Sequence, residues 1–185
     1  MASAQMGDRR IDRASGSAGY SVRDQMTAIY EESWSSVFRY AFVLLRHRED
    51  AEDVASEAFS RAYAAWEGGH GPSDGALPWL LLITRRVITD RQRRRRLIAW
   101  LPLSGVATLQ DDGSTSAFGQ VEVWLWFEHF SRALSERQRE ALILRYQFDL
   151  PDEALGQVMG LSRPGVRTLV ARALASLRNQ PEILE

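Results

Sequence analysis

Two short stretches of opposite charge contain the residues of this sequence that are best suited to bind a partner. Five acids and no base occur from Glu49 to Glu57, in EDAEDVASE, and seven arginines against one aspartate occur from Arg85 to Arg96, in RRVITDRQRRRR. The formal net charge of the chain is only −1, so the charge is segregated within a nearly neutral protein. Such blocks are typical of two distinct partners or of a disordered tail. Both blocks continue a helical pattern, which favours the first interpretation.

A third charged stretch lies near the C-terminus, in GLSRPGVRTLVARALASLRN, which has four arginines and no acid. Gly160 can adopt the positive φ that ends one helix, and Ser162 can cap the next. Pro164 then falls in the first turn, where its missing amide hydrogen costs no intrahelical bond. The pattern predicts a helix-turn-helix that presents Arg163 and Arg167 beside free backbone amides, which suits DNA. A helical hairpin with a solvated arginine face would show the same pattern.

The sequence offers little for catalysis or metal binding. It has no cysteine, which excludes disulfides and thiolate metal sites, and His47, His70 and His129 are scattered. Asp50 and Asp53 are expected on a solvent face of one helix, with Ala51 and Val54 turned inward. The acids therefore do not converge in a pocket, as general acid–base chemistry or a metal site requires. No phosphate-binding loop or nucleophile elbow is present. We therefore expect no enzyme activity, no cofactor and no metal.

Apolar residues recur at intervals of three and four along most of the chain, which indicates amphipathic helices. Two are predicted in EESWSSVFRYAFVLLRHREDAEDVASEAFSRAYAAW, joined around HRED, and a third runs from about Pro78 into the arginine block. Ser135 and Gln138 form a capping box farther along. The predicted fold is all-α, with two small helical domains joined by a flexible linker, the C-terminal one a helix-turn-helix. The predicted divisions are a disordered tail at 1–21, a first domain at 22–97, the linker at 98–120 and a second domain at 121–185.

The helical periodicity also predicts which residues are buried. Gly156 lies where the two helices of the helix-turn-helix cross, and its lack of a side chain permits close approach. The core positions expected in the first domain include Val37, Tyr40, Ala41, Val54, Ala58, Phe59, Ala62 and Trp79. Those expected in the second are Leu155, Val158, Leu161, Val166, Val170, Ala173 and Leu177.

Three stretches, in this order and spacing, resemble the extracytoplasmic-function group of bacterial RNA polymerase sigma factors. They are AIYEESWSSVFRYAFVLLRHREDAEDVASEAFSRAY, PWLLLITRRVITDRQRRRR and LSERQREALILRYQFDLPDEALGQVMGLSRPGVRTLVARALASLR. The resemblance runs from about Ile29 to Asn179. It implies an alternative sigma factor that docks on core RNA polymerase and directs promoter-specific transcription initiation.

The resemblance also implies which residues bind each partner. In the family, the acidic helix binds the clamp coiled coil of the largest polymerase subunit, the third helix holds the melted minus-ten element, and the last helix reads the duplex minus-thirty-five element. The implied polymerase contacts are Asp50, Glu52, Asp53 and Glu57. The implied minus-ten contacts are Arg85, Arg86, Arg91, Arg93, Arg94, Arg95 and Arg96. The implied minus-thirty-five contacts are Arg163, Arg167, Thr168 and Arg172. The loop Gly68–Ala76 would capture a flipped base, and an anti-sigma factor is a further candidate partner.

The sequence departs from the family at several positions. Ser56 stands where glutamine is usual, Arg86 where asparagine is usual and Leu169 where an arginine is frequent, while Ala154–Gly156 replaces an acid–apolar–alanine run. The expected fold is unchanged, because the core positions are kept. The departures bear on the promoter sequence and on single-residue roles.

Proteins of other classes would differ in what they bind. A stand-alone helix-turn-helix regulator would bind a duplex operator without polymerase. An anti-sigma or adaptor protein would not need two basic DNA surfaces. The all-arginine basic set, 23 residues with no lysine, fits either a GC-rich genome or selection for the planar guanidinium on phosphate and guanine.

The segment VEVWLWFEHF, residues 121–130, is more apolar around its circumference than a surface helix should be. This predicts packing within the second domain, or cover by an anti-sigma factor or by the first domain. No apolar run reaches the roughly 20 residues that span a bilayer, and the polar start lacks the apolar segment of a signal peptide. We therefore expect a cytoplasmic protein with no membrane insertion.

Overall fold

The computed structural model describes residues 21–73, 75–99 and 134–179. The predicted tail up to residue 20, most of the predicted linker and the aromatic segment 121–130 lie outside the described residues. The described helices are α1 (Val22–Leu45), α2 (Arg48–Glu67), α3 (Ala76–Ala99), α4 (Glu136–Tyr146), α5 (Asp152–Met159) and α6 (Arg163–Arg178). No strand occurs in these ranges, which confirms the all-α prediction. We refer to α1–α3 as the first domain and to Leu134 with α4–α6 as the second.

Helix boundaries follow the capping chemistry of the sequence. Ser21 caps α1 and forms a capping box with Asp24, and Ser135 forms the predicted box with Gln138 at the start of α4. Between α1 and α2 the chain turns at Arg46, which has a left-handed φ of 55°. Helix α3 begins at Ala76, two residues before the predicted start, so that Pro78 lies within its first turn, where proline is tolerated.

The core of the first domain forms between the apolar stripes of its three long helices. Its fully or nearly fully buried residues include the predicted positions Val37, Ala41, Val54, Ala58, Phe59 and Ala62. Trp79 is packed against this core and meets Trp66 edge to face, with 6.1 Å between ring centroids. The prediction of a packing role for Trp79 is confirmed.

The second domain has a smaller core, and the predicted residues Leu155, Val158, Val166 and Ala173 are buried in it. Part of this core continues into the first domain. Tyr40 and Val43 of α1 and Leu81 of α3 are buried against residues of the second domain. The periodicity had placed Tyr40 correctly on a buried face, but the structure puts that face against the other domain.

Candidate nucleic-acid and protein interfaces

The acidic residues of α2 are held on one side of the helix because its other side is buried. Ala51 and Val54 are fully buried, which turns Asp53 outward, with 72% of its side chain exposed. Asp50 lies in the first turn, where its backbone amide donates to the Nδ1 atom of His47, the N-cap. Acids in a first turn interact favourably with the helix dipole.

Three of the four predicted polymerase-binding acids face arginines of α3. Arg95 donates from Nη2 to both carboxylate oxygens of Asp50, at 2.9 and 3.1 Å. Arg91 donates to Glu57 from Nε at 3.1 Å and from Nη2 at 2.9 Å, and its Nη1 lies 3.9 Å from Asp53. The solvent exposure that the sequence suggested for Asp50 is wrong, since Arg95 covers this side chain and only 19% of it is exposed. The fourth acid, Glu52, accepts from Arg48 on its own helix at 2.9 Å.

A second arginine completes this network around Glu57. Arg61 donates to Glu57 at 2.6 Å and to Asp90 of α3 at 2.9 Å. Burial raises the pKa of Glu57, but the hydrogen bonds from Arg91 and Arg61 outweigh it and leave the pKa below its usual value. The hydrogen bond from Arg61 likewise lowers the pKa of Asp90. The acids of α2 and the arginines of α3 thus partly neutralise each other's charge.

The predicted minus-ten arginines divide into two groups. Arg85, Arg91 and Arg95 are engaged by carboxylates. The others are exposed, and no carboxylate in the described ranges forms an ion pair with them; they are Arg86, Arg93, Arg94 and Arg96. Helix α3 therefore presents four cations to solvent and holds three on protein partners.

The loop before α3 is described except for residue 74. His70 is exposed. Gly69 and Gly75 have positive φ values of 82° and 105°. Gly71 packs over Trp66, since a Cβ there would lie 2.6 Å from the indole ring. Small residues thus bring the backbone of this loop close to an aromatic ring.

The helix-turn-helix is built by the residues that the sequence singled out. Gly160 ends α5 with a φ of 65°, and the hydroxyl of Ser162 accepts from the amide of Gly165 at 3.3 Å. Pro164 occupies the first turn of α6. A Cβ on Gly156 would lie 2.6 Å from the carbonyl oxygen of Leu161. The close approach of α5 to the turn before α6 therefore requires glycine at this position.

The predicted minus-thirty-five residues Arg163, Arg167, Thr168 and Arg172 are all exposed on α6. Two of them contact acids at the start of α5. Arg163 donates to Glu153 at 3.0 Å, and Arg167 donates from Nε to Asp152 at 2.8 Å. Asp152 is only 19% exposed and also accepts from Arg145 of α4. An acid braced in this way holds Nε of Arg167, while 74% of the Arg167 side chain stays exposed.

The described residues contain no group of histidines and carboxylates that could hold a metal ion. In the same ranges, every helix is too short or too polar to cross a membrane.

Comparison with known proteins matches both halves of the chain. Residues 29–98 match the family described as sigma-70 region 2, and residues 125–177 match the family described as sigma-70 region 4. Together these matches cover more than half of the chain. The chain belongs to the extracytoplasmic-function group of RNA polymerase sigma factors. Sigma factors are transcription initiation factors and not themselves catalysts.

Relatives of the sigma factor span a range of lengths. It is 33% identical to a probable RNA polymerase sigma factor, RfaY, of Xanthomonas campestris, over 79% of this chain but only 38% of the relative. It is 24% identical to the ECF sigma factor SigM of Bacillus subtilis, over 81% of this chain and 91% of the relative. The chain thus spans less than half of one of these relatives and nearly all of the other.

A solved structure shares the fold of the sigma factor. The sigma factor RpoE of Bartonella quintana, in complex with the anti-sigma factor NepR, superposes with a TM-score of 0.64 at 18% identity. The match covers 87% of this chain and 99% of the other.

Sequence reasoning missed one buried charged side chain of the sigma factor. Glu140 of α4 is 6% exposed and accepts from the hydroxyl of Tyr40 at 2.6 Å and from Nε of Arg85 at 2.7 Å. Burial, and then the charge of Glu140, raise the pKa of Tyr40 well above its usual value, so Tyr40 stays a neutral donor. The available signal was a charged residue within the run of buried residues Glu140–Leu144.

Proposed function

We propose that this sigma factor docks on core RNA polymerase through the acidic face of α2 and directs initiation at promoters read by α3 and α6. The observation that carries the proposal is the exposed arginine face of α6, set at the N-terminus of the second helix of a helix-turn-helix. A helix in this position can enter the major groove, where arginine pairs with guanine. In this proposal the polymerase supplies the chemistry and this chain supplies recognition.

In the first domain, α3 holds the melted minus-ten strand. The exposed cations of α3 suit phosphates, since a row of arginines follows a backbone without reading its sequence. These cations are Arg86, Arg93, Arg94 and Arg96, joined by Arg85, Arg91 and Arg95 when their protein partners release them. The glycine-rich loop before α3 would accommodate an unstacked base.

In the second domain, Arg163, Arg167 and Thr168 contact bases of the duplex minus-thirty-five element and Arg172 contacts phosphate. The exposure of all four supports this assignment. The amides at the start of α6 add a positive end of the helix dipole near the DNA backbone.

The remaining partner is an anti-sigma factor, by analogy with the Bartonella protein, which is known in complex with one. A cytoplasmic location is part of the same proposal, because core polymerase and promoters are found there.

The test is an equilibrium titration of fluorescently labelled protein with bacterial core polymerase. We expect tight binding by the wild type and at least a roughly tenfold loss in an Asp50→Ala, Asp53→Ala variant, which corresponds to about 1.4 kcal/mol. The single variant Asp53→Ala removes an exposed acid and leaves the pairing of Asp50 with Arg95 intact. It therefore separates the loss of an exposed contact from the release of Arg95. A Glu31→Ala, Glu32→Ala variant removes two exposed acids of α1 and serves as the charge-matched control.

Absence of binding by a folded wild-type protein would contradict the proposal. Specific binding of duplex DNA without polymerase would then identify a stand-alone regulator.

A further inference from the structure

One carboxylate links the exposed face of α6 to the rest of the second domain. Asp152, the first residue of α5, accepts from Arg145 of α4 on Oδ1. It accepts from Nε of Arg167 of α6 on Oδ2, at 2.8 Å. Arg145 also donates to the backbone carbonyl of Leu150, at 3.0 Å. The side chain of Asp152 thus connects three helices, and each of its oxygens has an arginine partner.

This network is held at its inner end and exposed at its outer end. Arg145 and Asp152 are both partly buried, and Arg145 has an acceptor on either side of the start of α5. Arg167 is the exposed member. An exposed arginine samples many rotamers, and ordering it at an interface costs conformational entropy. Asp152 therefore orders Arg167 before any DNA is present.

The atom that Asp152 engages limits how Arg167 can read a base. A guanidinium group pairs with O6 and N7 of guanine through two of its nitrogens. Because Nε is held by Asp152, such a pair must use Nη1 and Nη2, at the end of the side chain. The carboxylate also places a negative charge beside Arg167, which weakens its attraction for a phosphate more than for an uncharged base. Both effects favour the contact with a base.

The neighbouring ion pair has no comparable support. Arg163 donates to Glu153 at 3.0 Å, and both side chains are exposed. Within the described ranges, no second arginine forms an ion pair with Glu153. An exposed pair of this kind contributes little to order. The support from α4 therefore distinguishes Asp152 from the acid that follows it.

We propose that Asp152 is a positioning residue that sets the sequence specificity of the second domain, because it holds Arg167 with its two terminal amino groups available to a guanine and disfavours a phosphate contact. Asp152 acts through Arg167 and itself contacts no base. The inference rests on the proposed function, since it requires Arg167 to meet a base of the minus-thirty-five element.

The first experiment tests the ordering of Arg167 in the full chain without polymerase or DNA. The NMR signal of the Nε–H group of Arg167, identified by its loss in Arg167→Lys, reports the exchange of this hydrogen with water. We expect slow exchange in the wild type. Exchange should be at least roughly tenfold faster in Asp152→Asn, whose side chain offers one acceptor oxygen to two arginines. Equal exchange in the two proteins would overturn the proposal.

The second experiment measures specificity with the polymerase holoenzyme and a duplex library randomised in the minus-thirty-five element. Arg167→Ala identifies the base pair that Arg167 reads. There we expect Asp152→Asn to lower the preference for guanine by at least about threefold, part of what a bidentate pair contributes. The affinity for duplex without the element should not fall, because a negative charge near the DNA is removed. A merely structural role would weaken binding to every sequence alike.

Three further variants sharpen this measurement. Asp149→Asn makes the same change at an exposed acid of the second domain, with a φ of 49° that asparagine tolerates, and should leave all preferences unchanged. In an Arg167→Ala background, Asp152→Asn should cause no further loss of preference. Arg145→Gln loosens Asp152 but keeps its pair with Arg167, so a smaller loss at the same base pair is expected. This variant remains informative if Asp152→Asn misfolds.

The outcomes separate this inference from the proposed function. A preference that is lost in Arg167→Ala and kept in Asp152→Asn would overturn the positioning role and leave the proposed function in place. An equal loss across sequences in Arg167→Ala would identify a phosphate contact and overturn this inference too. Absence of promoter binding by the holoenzyme would contradict the proposed function and the role in specificity with it.

Discussion

The arginines of α3 and those of α6 are both paired with acids, but the pairs differ in geometry. Arg91 donates from Nε and Nη2 to the same carboxylate oxygen of Glu57, so this edge of its guanidinium group is occupied. Among the residues that the structure describes, Arg167 pairs with Asp152 through Nε alone, which leaves both terminal amino groups for another partner. The pairing with Glu57 makes Arg91 less available to another partner. The pairing with Asp152 positions Arg167 and leaves it able to bind one.

The acids themselves also differ between the two regions. Glu57 and Asp50 are proposed polymerase contacts, so a basic surface that approaches α2 competes with Arg91 and Arg95. Asp152 and Glu153 have no such second role, and Asp152 is further fixed by Arg145. Polymerase docking should therefore release arginines of α3, while the α6 surface is ready before any partner binds. The following predictions test this difference.

The largest expected effect comes from Gly156→Ala, which disturbs only the α6 surface. The added methyl group would meet a backbone oxygen that cannot rotate away, so we expect a loss of about 3 kcal/mol in the stability of the second domain, at the upper end for overpacking. Hydrogen exchange should accelerate for amides of α6 and much less for those of α3. Gly160→Ala is the control, since it adds strain at φ 65° without a clash and should cost about 1 kcal/mol. Unchanged exchange in α6 would show that the turn before α6 can shift away from the methyl group without loss of stability.

The next-largest effect distinguishes an arginine that reads a base from an arginine that contacts phosphate. Arg167→Ala should weaken binding of the polymerase holoenzyme to selected promoters by about 1–3 kcal/mol, because its free amino groups can pair with a guanine. Arg94→Ala on α3 should weaken all promoter sequences alike and lower the salt dependence by about 0.7 for a single-strand phosphate. Competition binding against a library of promoter variants at several salt concentrations measures both. A loss that is equal across sequences for Arg167→Ala would identify a phosphate contact instead.

A smaller effect tests the release of α3 arginines. Glu57→Gln should raise the affinity of the polymerase-free protein for a single-stranded minus-ten oligonucleotide by a few-fold, since a partly exposed ion pair contributes up to about 1 kcal/mol. Fluorescence anisotropy at low salt measures the change. Glu52→Gln is the matched control, because Glu52 pairs with Arg48 on its own helix and with no arginine of α3. A lower affinity of Glu57→Gln would mean that Glu57 positions Arg91 for DNA.

The difference between the two regions also shows what sequence reasoning could reach. The helix-turn-helix depends on local chemistry, and Gly160, Ser162 and Pro164 each have a conformational preference that can be recognised within a few residues. The pairing of Arg91 with Glu57 depends on the packing of α2 against α3, which no local preference encodes. The sequence therefore located both charged faces correctly but could not show that they meet.

Periodicity had a similar limit at the contact between the domains. An apolar stripe indicates that a helix face is buried, but not against which partner, so Tyr40 was assigned to the first domain's own core. Glu140 interrupts a buried run in α4, and a charge there predicts a specific partner. The sequence could not identify that partner, because it lies 100 residues away along the chain.

The smallest predicted effect is a pH dependence confined to the α2–α3 network. Because arginine hydrogen bonds hold the pKa of Glu57 below its usual 4.5, the folded state favours the ionised carboxylate. This stabilisation is fully present above the ordinary pKa and is lost as the pH falls below about 4.5 through the lower folded-state value. Glu57→Gln should therefore lower the free energy of unfolding at pH 7 by less than about 1 kcal/mol. It should also reduce the difference in the free energy of unfolding between pH 7 and pH 3. Urea unfolding of both proteins across this range measures the effect. An identical pH dependence would mean that Arg61 and Arg91 bind Glu57 no more tightly in the folded protein than water does in the unfolded chain.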